Sequence, residues 1–529
     1  MSVRQFLTIL LFLLILTAHG SGQEHAIHDL GKVDFKNSCT PAVQEIFQRS
    51  VAMLHSFRYA ETERSFREVL RNDPTCAIAT WGIAAILMAN PLTGFGPSPE
   101  WAARGQAAIE EGRKIGAKTQ RERDFIEAVG AYYEDWANRP EKIRQLNRAK
   151  AFESLAARYP DDDETQIFYA LYLAGTQSLS DQSYSAYLKA AKILEKQFEK
   201  HPEHPGVAHY LIHSYDAPPI ASKGLAAARR YADIAPAAPH ALHMPSHIFT
   251  RVGDWKDSVL TNTRAAAAAK ADKDFEEQLH AMDYMTYAYL QMGSDADAKR
   301  VVDEGATVTG FNTLRFVGPY GQAASPARYA VERGDWKLAM TLKPHPSPFP
   351  FTVALTYFAR ALGGARGGNL VSAAEDLLEL ARLRDNLKVA SDVYWANEVE
   401  VSRLGAEAWI ALARGRNDEA LTLMRSAADI EDKNEKHIVT PGRVLPAREL
   451  LGEMLLELNR PADALKEFEA SQVREPGRFR GYYGAAQAAE KSGDKAKAKL
   501  YYTKLAELSD KNVTRPELAN AKKYLANNP

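Results

Sequence analysis

Arg460 to Leu505 reads RPADALKEFEASQVREPGRFRGYYGAAQAAEKSGDKAKAKLYYTKL, and its punctuation decides the fold. Ala464, Phe468 and Pro476 close one unit, and Tyr482, Ala486, Gly493, Ala498 and Tyr502 lay out the next. Small residues stand where two helices touch, and aromatic rings fill the space between pairs. Glycine sits in the turn because helix ends often need a left-handed residue. Proline starts a helix well because the N–H it lacks would be unpaired there.

Working outward, the same order returns near the front. FRYAETERSFREVLRNDPTCAIATWG places Tyr59, Phe66 and Pro74 at the same spacing, with Trp81-Gly82 in the following helix. Weaker copies run through KAFESLAARYPDDDETQIFYALYLAG and AAKILEKQFEKHPEHPGVAHYLIHSYD, and again through SPARYAVERGDWKLAM. Pro202 and Pro236 are 34 residues apart, the period of the tetratricopeptide repeat (TPR), whose pattern these units resemble. The expectation is an all-α, TPR-type α-solenoid of about eight to ten helical hairpins with irregular insertions, each burying its apolar face against its neighbours. KPHPSPFPF (Lys343 to Phe351) has four prolines in seven residues and reads as non-helical, and GGARGGN (Gly363 to Asn369) reads as a flexible turn. The division expected is therefore an N-terminal array over 23–342 with a His-lined groove, a Pro/Gly-rich connection over 343–370, and a C-terminal array over 371–529. LTGFGPS, between Pro91 and Pro99, reads as a loop able to cap the groove.

Of the fourteen histidines, six fall between His209 and His280, where even scatter would give about two. With Gly253-Asp254-Trp255 as the turn of a repeat, His240, His243 and His247 take positions 2, 5 and 9 of a first helix. One period earlier His209 and His213 take positions 5 and 9 and Asp216 takes position 12. One period later His280, Asp283 and Tyr287 take positions 2, 5 and 9. Residues three and four apart share a helix face. In TPR proteins this face lines the concave groove, so three consecutive helices aim these side chains at one stretch of it. Imidazole suits zinc, copper, iron or nickel, and His at i and i+4 is a common bidentate arrangement. The ligand set expected is His209, His213, His243 and His247, with His240, His280 or Asp283 as further ligands or orienting groups. The competing readings are a polar groove for a peptide or small ligand, and structural hydrogen bonding. His55 and His437 read as unrelated to the cluster.

The first residues, MSVRQFLTILLFLLILTAHGSGQEH, carry one early cation, Arg4, then an apolar run from Phe6 to Leu16 and a small-residue stretch. This reads as a signal peptide over 1–22, cleaved near Gly20 or Gly22, with an uncleaved anchor as the alternative. An exported chain, periplasmic or secreted, with no membrane span after cleavage is expected. Lysine and arginine nearly balance the acids at a net charge of −1, which argues against a nucleic-acid partner. Cys39 and Cys76, the two cysteines, read as a disulfide in an exported chain, with free thiols or metal ligation as alternatives.

The segments His55–Glu61, Asp73–Ala84, Thr119–Ala128, His209–Asp216, Ala241–Trp255 and Val444–Leu465 also resemble a family of exported bacterial TPR proteins. That resemblance covers nearly the whole chain after residue 22 and implies an architecture but no reaction. Two functions follow from the residues. One is a binding protein holding a peptide, protein or small ligand in the groove, with zinc or copper in the recognition surface. The other is a metal-dependent hydrolytic or oxidative enzyme in the same groove, with Asp216 or Asp283 as candidate base and Tyr287 as hydrogen-bond donor. A structural scaffold in a cell-envelope assembly is a third. HYLIH and HMPSH lack the glutamate of a zincin, and no Walker loop, GxSxG elbow or Rossmann fingerprint is present, so no nucleotide cofactor is expected.

Overall fold

A computed structural model describes residues 27–509 and 513–528, so the expected signal peptide lies outside the described residues. Within them the chain is all helix and connection, with no strand. If Pro239–His243 and Pro245–Val252 count as one helix interrupted at Met244, the elements pair into twelve hairpins. These run from Gln44–His55 with Tyr59–Asn72 to Phe479–Ser492 with Lys495–Leu508, and Pro516–Asn527 covers the end. None is long and apolar enough to cross a membrane.

Local chemistry explains the pairing. Gly253, Gly334 and Gly493 have φ of 76°, 64° and 84°, the left-handed backbone that ends a first helix. The aspartate that follows each one caps the second helix, accepting from the amides of Asp257, Leu338 and Lys497. The hairpins then interlock in TPR fashion, a bare glycine receiving an aromatic ring. A Cβ on Gly82 would lie 2.3 Å from Phe66, and one on Gly484 would lie 2.3 Å from Phe468.

Two features differ from expectation. The repeats number twelve because hairpins such as Pro350–Gly367 with Leu370–Val389 carry a weak sequence signature. Only 343–349 of the supposed connection is irregular, since Pro350 starts a helix and GGARGGN is helical up to Gly367, turning at Gly368. Ala339 and Trp336 pack closely on Gly363, so these glycines serve close helix packing rather than flexibility. The two largest buried apolar clusters run from Leu30 to Phe249 and from Phe316 to Ala521, with four smaller ones between them.

The superhelix closes on itself. Trp255 donates Nε1–H to the Gly477 carbonyl at 2.8 Å, and the Phe479 amide donates to Gln291 at 3.0 Å. Residues 432–446, between two hairpins, form no helix, are largely buried and fill the interior. The Glu435 amide donates to the Leu179 carbonyl at 2.7 Å, and His437 Nε2 donates to the Thr93 carbonyl at 3.0 Å. A buried loop must pair its backbone groups. Arg328 does part of this, donating to the carbonyls of Gly442 (2.6 Å) and Arg443 (2.7 Å).

Candidate metal centre

Three helices supply the histidines: Pro205–Ser214 carries His209 and His213, the interrupted helix carries His240, His243 and His247, and Phe275–Gln291 carries His280. Pro245, which has no N–H to give, breaks the middle helix between His243 and His247. All six come together, but not on an open groove. His209, His213, His243, His247 and His280 are at most 6% exposed, and only His240 is partly exposed. Their ligating atoms form two groups, His209/His213/His240 and His243/His247/His280, each within 4.8 Å internally and able to hold a metal ion. The set of four expected to act together is thus split two and two, and His240 and His280 are full members rather than accessories.

Proton placement follows from the neighbours. Asn262 gives its Nδ2–H to the Ser258 carbonyl (2.7 Å), so its Oδ1 accepts from His243 Nδ1–H at 2.6 Å. His247 Nδ1–H donates to Asp216 at 2.9 Å. Both Nε2 atoms are then left with lone pairs, and they face each other at 3.0 Å. Tyr284, its hydroxyl 3.4 Å from His247 Nε2, has one proton to offer two lone pairs. In the other group His209 Nδ1–H donates to the His55 carbonyl at 2.7 Å, turning its Nε2 toward His213 Nε2 at 3.1 Å. His240 Nδ1–H donates to Glu277 at 3.2 Å. His213 Nδ1 and His240 Nε2 are buried without a hydrogen-bond partner. Burial, then repulsion from neighbouring imidazoles, holds His209, His213 and His243 well below the ordinary range, and burial pushes His280 down to about 3. Burial lowers His247 as well, so these five imidazoles favour the neutral form, the one that binds metals.

The catalytic candidates fall elsewhere. Asp216 is fully buried; burial opposes its charge, but Lys436 and Arg251 hold its carboxyl well below the usual range. It orients His247, and its other carboxylate oxygen is committed to Arg251 at 2.7 Å. Asp283 pairs with Arg328 at 2.9 Å, and Tyr287 bonds Glu475 (3.1 Å) and Arg478 (2.9 Å). Both lie in the ionic layer against the C-terminal half, outside the histidine groups. Cys39 and Cys76 form a disulfide with Cα atoms 4.8 Å apart, which removes them as metal ligands.

Several residues that matter here carry no repeat-register signal: Asn262, Glu277 and Tyr284, and His55 through its backbone carbonyl. The His55–Glu164–His204 group also brings metal-type ligands together, yet it is satisfied without an ion. His204 Nδ1 accepts the Val207 amide, and both rings meet different oxygens of Glu164 at 3.0 Å.

The cluster is reached from one side. A cavity of about 290 Å³ is bordered by His240, His280 and Glu277, with Tyr59, Trp101 and Arg315 on its walls. The loop from Ala89 to Ser98 forms its rim, so the segment read as a cap lies over the histidine end of the interior.

Fold and site together define a class: an all-α, TPR-type helical-repeat protein that gathers six histidines, five of them buried, from three of its helices. No family model matches the chain, and no curated protein does. Among solved structures, a chain of the APC/C hetero-tetramer Cut9–Hcn1 aligns at 11% identity over 90% of this chain and 94% of that one, with a TM-score of 0.30. Yeast Tom70 aligns at 9% identity over 92% and 96%, with a TM-score of 0.28. At such TM-scores neither bears on what this chain does.

Proposed function

We propose that this chain is a helical-repeat metalloprotein that holds a transition metal, zinc or copper, with buried neutral imidazoles and admits a small ligand through the adjoining cavity. The observation that carries the reading is the face-to-face pair of lone pairs on His243 and His247 at 3.0 Å, with both Nδ1–H groups committed elsewhere. Lone pairs so placed repel unless a cation lies against them, and outer hydrogen bonds of this kind are what fix metal-ligating histidines. A site of three nitrogens leaves coordination positions free, as ligand binding or metal-dependent catalysis requires. A peptide or protein in the concave interior, the other occupant expected, would meet residues 432–446 already there. Export belongs to the same proposal. The Cys39–Cys76 disulfide supports it, since such bonds persist in oxidising compartments, and so does the resemblance to exported bacterial TPR proteins.

The test is elemental analysis of protein purified without a nickel column or chelator, beside the H243A/H247A double variant. Near-stoichiometric zinc or copper in the wild type, lost in the variant, is the expected result. Absence of metal, persisting after zinc and copper are added back, would reject the metalloprotein reading.

A further inference from the structure

We infer that the cluster is a two-ion centre, with one transition-metal ion in His209/His213/His240 and a second beside it in His243/His247/His280. This rests on the metalloprotein reading and goes beyond it in number, grouping and adjacency.

The ring contacts carry the argument. Within the first triad His209 lies 4.9 Å from His213 and 5.1 Å from His240, centroid to centroid. Within the second, His243 lies 5.0 Å from His247 and 4.2 Å from His280, and His247 lies 6.4 Å from His280. The triads meet along two edges, His213–His247 at 5.5 Å and His240–His243 at 6.1 Å. Six rings therefore form two triangles in contact, not one ring of ligands around a single point. One ion with Zn–N or Cu–N bonds of about 2 Å gathers three or four imidazoles and leaves the others stranded.

Each triangle has its own set of orienting groups. The His55 carbonyl and Glu277 fix the first, and Asn262 and Asp216 fix the second. Each triangle also has its own unmet donor. In the first it is the partnerless His240 Nε2, and in the second it is the opposed Nε2 pair. A single ion in either triangle leaves the other's lone pairs uncompensated. Both triangles also reach the cavity, the first through His240 and the second through His280. One small oxygen or nitrogen ligand entering there meets both ions.

Copper(II) is the probe, since two adjacent unpaired spins couple and two distant ones do not. The full chain, stripped of metal, is titrated with copper(II), and bound copper is compared with the integrated paramagnetic resonance signal. H213N and H280N, one in each triangle, are treated alike. The two-ion centre predicts about two equivalents bound with a signal well below two isolated spins, and about one equivalent with a full single-spin signal in each variant. One equivalent in the wild type, with an ordinary single-spin signal, overturns the pair while leaving the metalloprotein reading intact. Two equivalents of isolated spins overturns adjacency, and no bound copper removes both readings. Should either variant fail to fold by circular dichroism, the wild-type stoichiometry and spin count decide alone.

Discussion

Asn262 does not line the cavity, yet through one hydrogen bond of 2.6 Å it sets which nitrogen of His243 carries a proton. Removing an outer partner of a metal-ligating histidine typically costs about 10–100-fold in metal affinity. N262A should show a loss of that size in competition with a chromophoric chelator while keeping its helical circular dichroism; unchanged affinity would mean that His243 is not a ligand. A second group of residues makes stability fall as pH rises. Arg443 faces Glu398 (3.3 Å), Glu431 (3.2 Å) and Glu475 (3.7 Å), three carboxyls around one guanidinium. Burial pushes Glu431 up to about 8 and Glu449 to about 7. The folded chain thus keeps protons that the unfolded chain has released above its carboxyl pKa of 4.5, so the folded state binds more of them. The stability this contributes is complete below that pKa and is lost as pH rises through 7 to 8. Denaturant midpoints should fall across this range, with a loss on the order of a few kcal/mol. E431Q should flatten the profile, and an equally steep one would point to other groups. The histidines themselves were legible because repeat register puts them on one face. Their partners were not, because Asn262 and the His55 carbonyl arrive from other helices and have no spacing relation to the cluster.

At the level of elements, hairpins marked by Gly–Asp turns or by a glycine facing an aromatic ring could be read directly. Where glycine serves helix packing, as in 363–367, the composition resembles a linker and misleads. The glycine–aromatic contact has a measurable consequence. G82A puts a methyl 2.3 Å from the Phe66 ring and should destabilise by about 1–3 kcal/mol, relieved in the G82A/F66L double variant. Additive effects of the two substitutions would show that the ring and the glycine do not meet. The Cys39–Cys76 bond ties the opening connection to the turn before the second hairpin across a sequence separation of 37, which corresponds to about 3–4 kcal/mol of loop-closure entropy. Reduction should lower the melting temperature of the wild type and leave a C39S/C76S variant unaffected; equal response in both would place the effect elsewhere.

For the whole molecule, residues 432–446 decide the character of the interior. Their sequence, DKNEKHIVTPGRVLP, looks like an exposed turn, with charges, Pro441 and Gly442. Only the arrival of Leu179, Thr93 and Arg328 from far along the chain makes it a buried strap, which no local pattern reveals. Glu435 accepts from Tyr184 at 2.7 Å while its amide holds Leu179. E435A should therefore speed amide hydrogen exchange in residues 177–187, some 250 positions away, and unaltered exchange there would deny the strap this role.

An ordinary solenoid gains stability one neighbour at a time and tolerates being lengthened or trimmed. Here a segment of chain from the tenth hairpin's exit threads a space walled by the second, fourth and eighth, and Trp255 closes on Gly477 beside it. Folding should accordingly wait on contacts of long sequence separation, a slow and all-or-none final step rather than a zipper. The array also has a fixed number of turns. Inserting or deleting a single repeat between Leu179 and Glu435 would shift one end of that thread relative to the other, so duplication, the usual way repeat proteins change length, is closed to this one.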